Sequence, residues 1–197
     1  MPGDRAHSRS SRHRDTRQEI VAVAMGLFID QGYEKTSLRE IADELGVTKA
    51  ALYYHFRTKR DIVEAAFQGS AEQVEEIRQW LSEAPPSRRR NKELVERLAT
   101  LIGGDAGLAM RFGQANPTTM TSEKLGQQQS DQVAALITRL AGEQPTAEQS
   151  IKATLAFGAL ALSGAGPGAR VAAGTAAERR AAGSAVALEL LDSIIDE

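Results

Sequence analysis

The segment spanning residues 36–59 constrains the fold most strongly, because it specifies two short helices joined by a tight turn. Ser37 and Glu40 have the spacing of a capping box at the start of the first helix. Gly46 is placed to end that helix, since the turn needs a residue that tolerates positive φ. Thr48 can then cap the second helix. The segment therefore predicts a helix-turn-helix.

The rest of the chain also follows a helical period, and no segment alternates in the way a strand does. One apolar stripe begins after Thr58 and continues to the break at Pro85 and Pro86. Its members are Ile62, Val63, Ala66, Phe67, Ser70, Val74, Ile77 and Leu81. We therefore predict an all-α chain of about nine helices.

The domain organisation follows from the same pattern. Residues 1–14 are predicted to be a flexible basic arm, with the first helix starting near Asp15 or Thr16. Residues 15–60 are predicted to form an N-terminal three-helix helix-turn-helix domain, and residues 61–197 a C-terminal helical domain. A helix over 58–84 is predicted to connect the two.

The outward face of the second short helix carries groups that suit DNA. Hydroxyl, ammonium and aromatic groups can contact phosphates, thymine methyls and base edges. The net charge is +3 over residues 1–60 and −5 over residues 61–197, which fits a DNA-binding domain joined to a separate second domain. The candidate DNA contacts are Thr36, Ser37, Thr48, Lys49, Ala50, Tyr53, Tyr54, His55 and Lys59. The competing interpretation is an ordinary three-helix cluster with a polar surface.

The basic arm has two interpretations. Arg9, Arg12, Arg14 and Arg17 can follow the DNA backbone or enter the minor groove. The same residues also fit a solvated tail without contacts, so DNA contact by the arm stays open.

The order of residues adds a family resemblance. The string Thr-Lys-Ala-Ala-Leu-Tyr-Tyr-His-Phe-Arg-Thr-Lys-Arg-Asp-Ile at 48–62 follows Ile-Ala-Asp-Glu-Leu-Gly-Val at 41–47. Over about residues 15–67 the chain resembles the DNA-binding domain of the TetR family of bacterial transcriptional regulators. The resemblance implies an Ω-shaped homodimer, in which the first three helices read DNA and the fourth links the domains. It also implies that the nine candidate residues match the family's DNA-contact positions. A cytoplasmic location is expected separately, because the absence of cysteine fits a reducing cytosol.

The C-terminal helices predict a dimer and a pocket. Helices at about 146–163 and 175–195 are apolar on more than one face, and Gly158, Gly183 and Ala187 would allow close approach. An effector pocket, walled mainly by apolar groups, would accept a small hydrophobic or amphipathic molecule. Its candidate residues, which equally fit an ordinary core, are Trp80, Leu98, Leu101, Ile102, Met110, Phe112, Met120, Leu136 and Phe157.

Other classes of protein lack support in the sequence. The chain has no cysteine, and its three histidines are His7, His13 and His55, without metal-ligand spacing. No apolar run has the length of a membrane span. We expect no enzyme activity, cofactor or metal.

The predicted function is a ligand-responsive transcriptional regulator that binds a palindromic operator as a dimer and is released by its effector. Repression is the expected direction of regulation. A DNA-binding protein that is ligand-independent or controlled by a protein partner is the alternative.

Overall fold

The computed structural model describes residues 4–116, 123–164 and 173–195. Within these ranges the chain contains helices and no strand, which confirms the all-α class. The helices are α1 (Asp4–Asp30), α2 (Leu38–Glu44), α3 (Lys49–His55), α4 (Lys59–Glu83), α5 (Arg88–Gly103), α6 (Asp105–Ala115), α7 (Glu123–Ala141), α8 (Ala147–Ser163) and α9 (Ala176–Ile195). The expected number of about nine helices therefore agrees with the described part of the chain.

The helices belong to two compact units. The first unit comprises residues 1–68 and 108–122, and the second comprises 69–107 and 123–197. Helices α4 and α6 each contribute residues to both units. All eight residues of the apolar stripe on α4 are buried, as their helical spacing predicts.

The start of α1 differs from the sequence-based expectation. The helix begins at Asp4, so Asp15 and Thr16 lie inside it and the prediction that one of them caps it was wrong. Residues 4–14 accordingly belong to α1, whereas the sequence placed an arm before the first helix. The physical reason is that no glycine or proline interrupts residues 4–25, and arginine, which recurs there, is a good helix former.

Two side-chain caps fix the helix-turn-helix. The Ser37 hydroxyl accepts from the Glu40 amide at 3.2 Å, and the Glu40 carboxylate accepts from the Ser37 amide at 2.7 Å. Hydrogen bonding to Ser37 lowers the pKa of Glu40, and the Ser37 side chain has a larger effect than its backbone amide. Thr48 caps α3 by accepting from the Ala51 amide at 3.2 Å. Gly46 has φ of +64°, the left-handed conformation for which the turn needs glycine.

In the second unit, α8 and α9 approach each other at a glycine. A Cβ on Gly183 would lie 2.5 Å from the Ser163 hydroxyl oxygen and 2.7 Å from the Ala159 carbonyl oxygen. Gly183 therefore allows a close approach, as its sequence position predicts, and it does so between two helices of one protomer.

Replacing Gly183 by alanine is expected to destabilise the protein by roughly 1–3 kcal/mol, because the added methyl overpacks the α8–α9 contact. The free energy of unfolding in urea measures the change. Gly69→Ala is the matched control, since a methyl added to this helical glycine would have no described atom within 4 Å. The control should gain about 0.5–1 kcal/mol from helix propensity. Equal effects of the two substitutions would contradict the close approach.

Candidate nucleic-acid interface

Helix α3 presents most of its surface to solvent. Thr48, Lys49 and Ala50 are exposed at its start. Tyr53 is 42% exposed and Tyr54 is 78% exposed, although tyrosine normally buries much of its ring. The Lys49 ammonium lies 5.3 Å from the centre of the Tyr53 ring. The face therefore combines a cation, hydroxyl groups and two aromatic rings.

The opposite side of α3 anchors the helix in the first unit. Leu52 is fully buried there, as is Ile41 of α2. Phe56, which follows α3, is 2% exposed, and the Arg17 guanidinium of α1 lies 4.7 Å from its ring centre. Arg17, which the sequence grouped with the arginines of the arm as a candidate DNA contact, therefore covers a ring of the core and has a structural contact. Partly exposed His55 packs edge-on against Tyr54, with ring centres 5.4 Å apart.

The loop before α2 is held by two of the predicted contact residues. Thr36 is 1% exposed, and its hydroxyl donates to the Gly32 carbonyl at 3.0 Å. The Lys59 ammonium donates to the Tyr33 carbonyl and lies 4.4 Å from the Tyr33 ring centre. Of the predicted residues in this region, Ser37 is exposed, Lys59 is half-buried and Thr36 faces the interior. Thr36 therefore shapes the loop rather than presenting its hydroxyl to solvent.

An aromatic cluster lies beneath this loop. The Phe112 ring centre is 6.0 Å from that of Phe28, 5.8 Å from that of Tyr33 and 6.5 Å from that of Phe67. Phe28 and Phe112 are fully buried. Burial, followed by the charge of Glu34, raises the pKa of Tyr33. Since α6 supplies Phe112, this helix contributes directly to the core that supports the loop.

The predicted pocket residues do not form one group. Leu98, Leu101, Ile102, Leu136 and Phe157 are buried in the second unit. Phe112 is in the first unit, Met110 is half-buried, and Met120 lies outside the described residues. The Trp80 ring is covered by the Arg97 guanidinium, 4.5 Å from its centre. Whether any of these residues contacts an effector stays a prediction.

Helices α8 and α9 leave large apolar side chains exposed. Ile151, Leu155 and Leu162 of α8 are 59%, 55% and 61% exposed, and Val186 of α9 is 47% exposed. The three α8 residues fall on one helical face, opposite the buried Ala153, Ala156, Phe157 and Leu160. Helix α8 is therefore apolar on two opposed faces.

The described ranges contain neither a membrane span nor a metal centre. None of the helices there combines the length and apolar character needed to cross a membrane. Those ranges also bring together no group of three or more histidine or acidic side chains that could hold a metal ion.

The exposed helix α3, capped by Thr48 and anchored on a buried scaffold, completes a helix-turn-helix unit of the DNA-binding class. Residues 20–66 match the family model described as bacterial regulatory proteins, tetR family. The matched segment lies within residues 15–67, over which the sequence motifs resemble this family.

Similar proteins are regulators. The chain is 42% identical over 64 residues to the HTH-type transcriptional regulator AcrR of Shigella flexneri, a match over 32% of this chain and 30% of AcrR. It is 32% identical over 105 residues to the HTH-type transcriptional activator FasR of Mycolicibacterium smegmatis, a match over 53% of this chain and 48% of FasR. Each match thus spans less than half of the relative. The crystal structure of Mycobacterium smegmatis AmtR superposes with a TM-score of 0.55 at 26% identity, over 89% of this chain and 86% of AmtR.

Proposed function

We propose that this protein is a transcriptional regulator that binds a palindromic operator as a homodimer. The observation that carries the proposal is the exposed face of α3, with Tyr54 78% exposed beside Tyr53 and Lys49. A short helix of this kind fits the major groove, where tyrosine and lysine reach base edges and phosphates. The proposed contacts are Ser37, Thr48, Lys49, Ala50, Tyr53, Tyr54, His55 and Lys59. We assign Thr36 to the support of the loop, because its side chain is buried.

A dimer is proposed because one α3 makes a small footprint, and two copies would read half-sites about 34 Å apart. The exposed face of α8 supports this assembly. Gly158 lies on the same face as Ile151, Leu155 and Leu162, and a Cβ added there would have no described atom within 4 Å. A partner helix can therefore approach this face closely. Helix α9, with its exposed Val186, would complete a four-helix interface.

We also propose that a small hydrophobic or amphipathic effector releases the DNA. An effector can do so only if it prefers a state in which the two α3 helices are misplaced for DNA. Helices α4 and α6 support such coupling because each contributes residues to both units. Repression is the proposed direction, and the similarity to FasR, which is named an activator, supports activation as the second candidate. A promoter reporter in a deletion strain separates them, since loss of a repressor raises expression and loss of an activator lowers it.

Tyr54→Ala is expected to weaken operator binding by about 10-fold or more, because a good groove contact contributes about 1–3 kcal/mol. The operator would first be selected from a random DNA pool with the purified protein, and affinity measured by fluorescence anisotropy at fixed salt. Because Tyr54 is exposed, its loss should leave the thermal unfolding midpoint almost unchanged.

Lys92→Ala is the control for this measurement, since Lys92 is an exposed α5 residue of the second unit. It should leave operator affinity unchanged. If Tyr54→Ala binds the operator with wild-type affinity, the proposal that α3 contacts DNA is contradicted.

A further inference from the structure

A cleft in the second unit lies at the ends of five helices. It is lined by the last turn of α4, the first turn of α5, the last turn of α7, the first turn of α8 and the end of α9. Its volume is about 810 Å³, which is within the range of small-molecule sites. None of the residues predicted from sequence to form the effector pocket lines it. The cleft is therefore a site distinct from that prediction.

Two arginines give the cleft a cationic part. Arg90 of α5 and Arg139 of α7 both line it. Burial has the largest effect on the pKa of Arg90 and lowers it, and the neighbouring positive charge of Arg139 lowers it further. The two guanidinium groups therefore lie within electrostatic range of each other. The Nε of Arg90 is buried and has no hydrogen-bond acceptor among the described residues. Like charges held together in this way favour an anion between them.

The carboxylates near the cleft compensate these charges only in part. Glu143 pairs with Arg139 at 3.8 Å, but its side chain is 88% exposed, and Glu83 is exposed as well. Asp192 accepts a hydrogen bond from buried Asn91 at 2.9 Å, so it is already engaged. Exposed carboxylates are screened by water and salt, whereas the guanidinium groups are partly buried. The two acidic side chains that line the cleft, Glu83 and Glu143, still disfavour a dianion, which leaves a singly charged head group as the better fit.

The remaining wall of the cleft is partly apolar. Leu81, Leu140 and Ile194 line it, together with Pro85 and Pro86, and the polar residues Ser82, Gln144 and Gln149 line it as well. The apolar side chains suit an aliphatic chain beside the cationic part. The two arginines and these apolar side chains together fit a monoanion attached to a short apolar body.

We propose that this cleft binds a small aliphatic carboxylate, with the carboxylate on Arg90 and Arg139 and the chain against Leu81, Leu140 and Ile194. A planar guanidinium donates two parallel hydrogen bonds to a carboxylate, which gives the head group its orientation. The proposal does not rest on the proposed function, because binding is a property of the protein without DNA.

Isothermal titration of the full-length protein with octanoate tests the site. We expect saturable binding to the wild type, and about 10-fold or greater weakening in Arg90→Gln and in Arg139→Gln, since each loses a charged hydrogen-bond donor. Octan-1-ol, which has the same chain without the charge, should bind at least about 10-fold more weakly than octanoate.

Arg97→Gln is the matched control. This arginine is also on the second unit's α5 but covers Trp80 and pairs with Glu93 at 2.7 Å. It should bind octanoate as the wild type does, and thermal unfolding checks that all three variants are folded. Three results would overturn the proposal: no binding of octanoate by the wild type, equal affinity for octanol, or equal losses in Arg97→Gln and Arg90→Gln.

In a separate experiment, octanoate is added to the protein–operator complex, and the fraction of DNA that stays bound is measured. This result tests effector release alone, so the proposed carboxylate site and the proposed regulatory function can fail independently.

Discussion

Replacing Leu155 by arginine is expected to convert the proposed dimer to a monomer and to weaken operator binding by roughly 100-fold or more. Leu155 is 55% exposed on a face of α8 that also carries Ile151 and Leu162. In the proposed dimer this face would be buried, so each subunit would have to desolvate a charge without a partner. Two linked DNA-binding domains bind about 10²–10⁴-fold more tightly than one, so a monomer would lose most of the operator affinity.

Light scattering after size exclusion gives the mass of Leu155→Arg, and fluorescence anisotropy gives its operator affinity. Ala135→Arg is the control, because it adds the same charge at an exposed position of α7. The control should stay dimeric and bind the operator as the wild type does. A dimer of normal affinity in Leu155→Arg would exclude this face of α8 from the interface. Retained helical content, measured by circular dichroism, separates dissociation from unfolding.

The local structure of the first unit was predictable because its signals are close together in sequence. Ser37 and Glu40 are three residues apart, and Gly46 and Thr48 mark the turn directly. Caps and glycine conformations depend on neighbours within one helical turn, so sequence spacing is sufficient to recognise them. The start of α1 was missed because a capping residue such as Asp15 permits a helix to begin without requiring it.

The cleft could not be predicted in the same way. Arg90 and Arg139 are 49 residues apart; Arg90 stands in a polar run that resembles an ordinary solvated surface, and Arg139 is a single charge in a mostly apolar stretch of α7. Only the packing of five helix ends brings them to one site. Phe112 illustrates the same point, since its apolar character predicted burial but not which unit would bury it. Long-range neighbours are set by tertiary packing, which a periodic pattern does not specify.

Phe112→Ala is expected to destabilise the protein by about 3–5 kcal/mol and to weaken operator binding beyond what unfolding explains. The ring is fully buried against Phe28 and Tyr33, so its removal leaves a cavity in the core of the first unit. Tyr33 would lose its edge-on contact, and Lys59, held by the Tyr33 carbonyl and ring, would lose a fixed partner. The loop that precedes α2 would then be less ordered before DNA binds. The cost of ordering it would make operator binding less favourable.

Phe157→Ala separates this effect from a general loss of stability. Phe157 is a buried phenylalanine of the second unit, so the substitution removes the same atoms from a different core. Both variants should unfold at lower urea concentration, and operator affinity would be compared at a temperature where both remain folded. We expect a clear loss of affinity in Phe112→Ala and a much smaller one in Phe157→Ala. Equal affinities in the two variants would show that the contact of Phe112 with Tyr33 stabilises the fold without positioning the loop before α2 for operator binding.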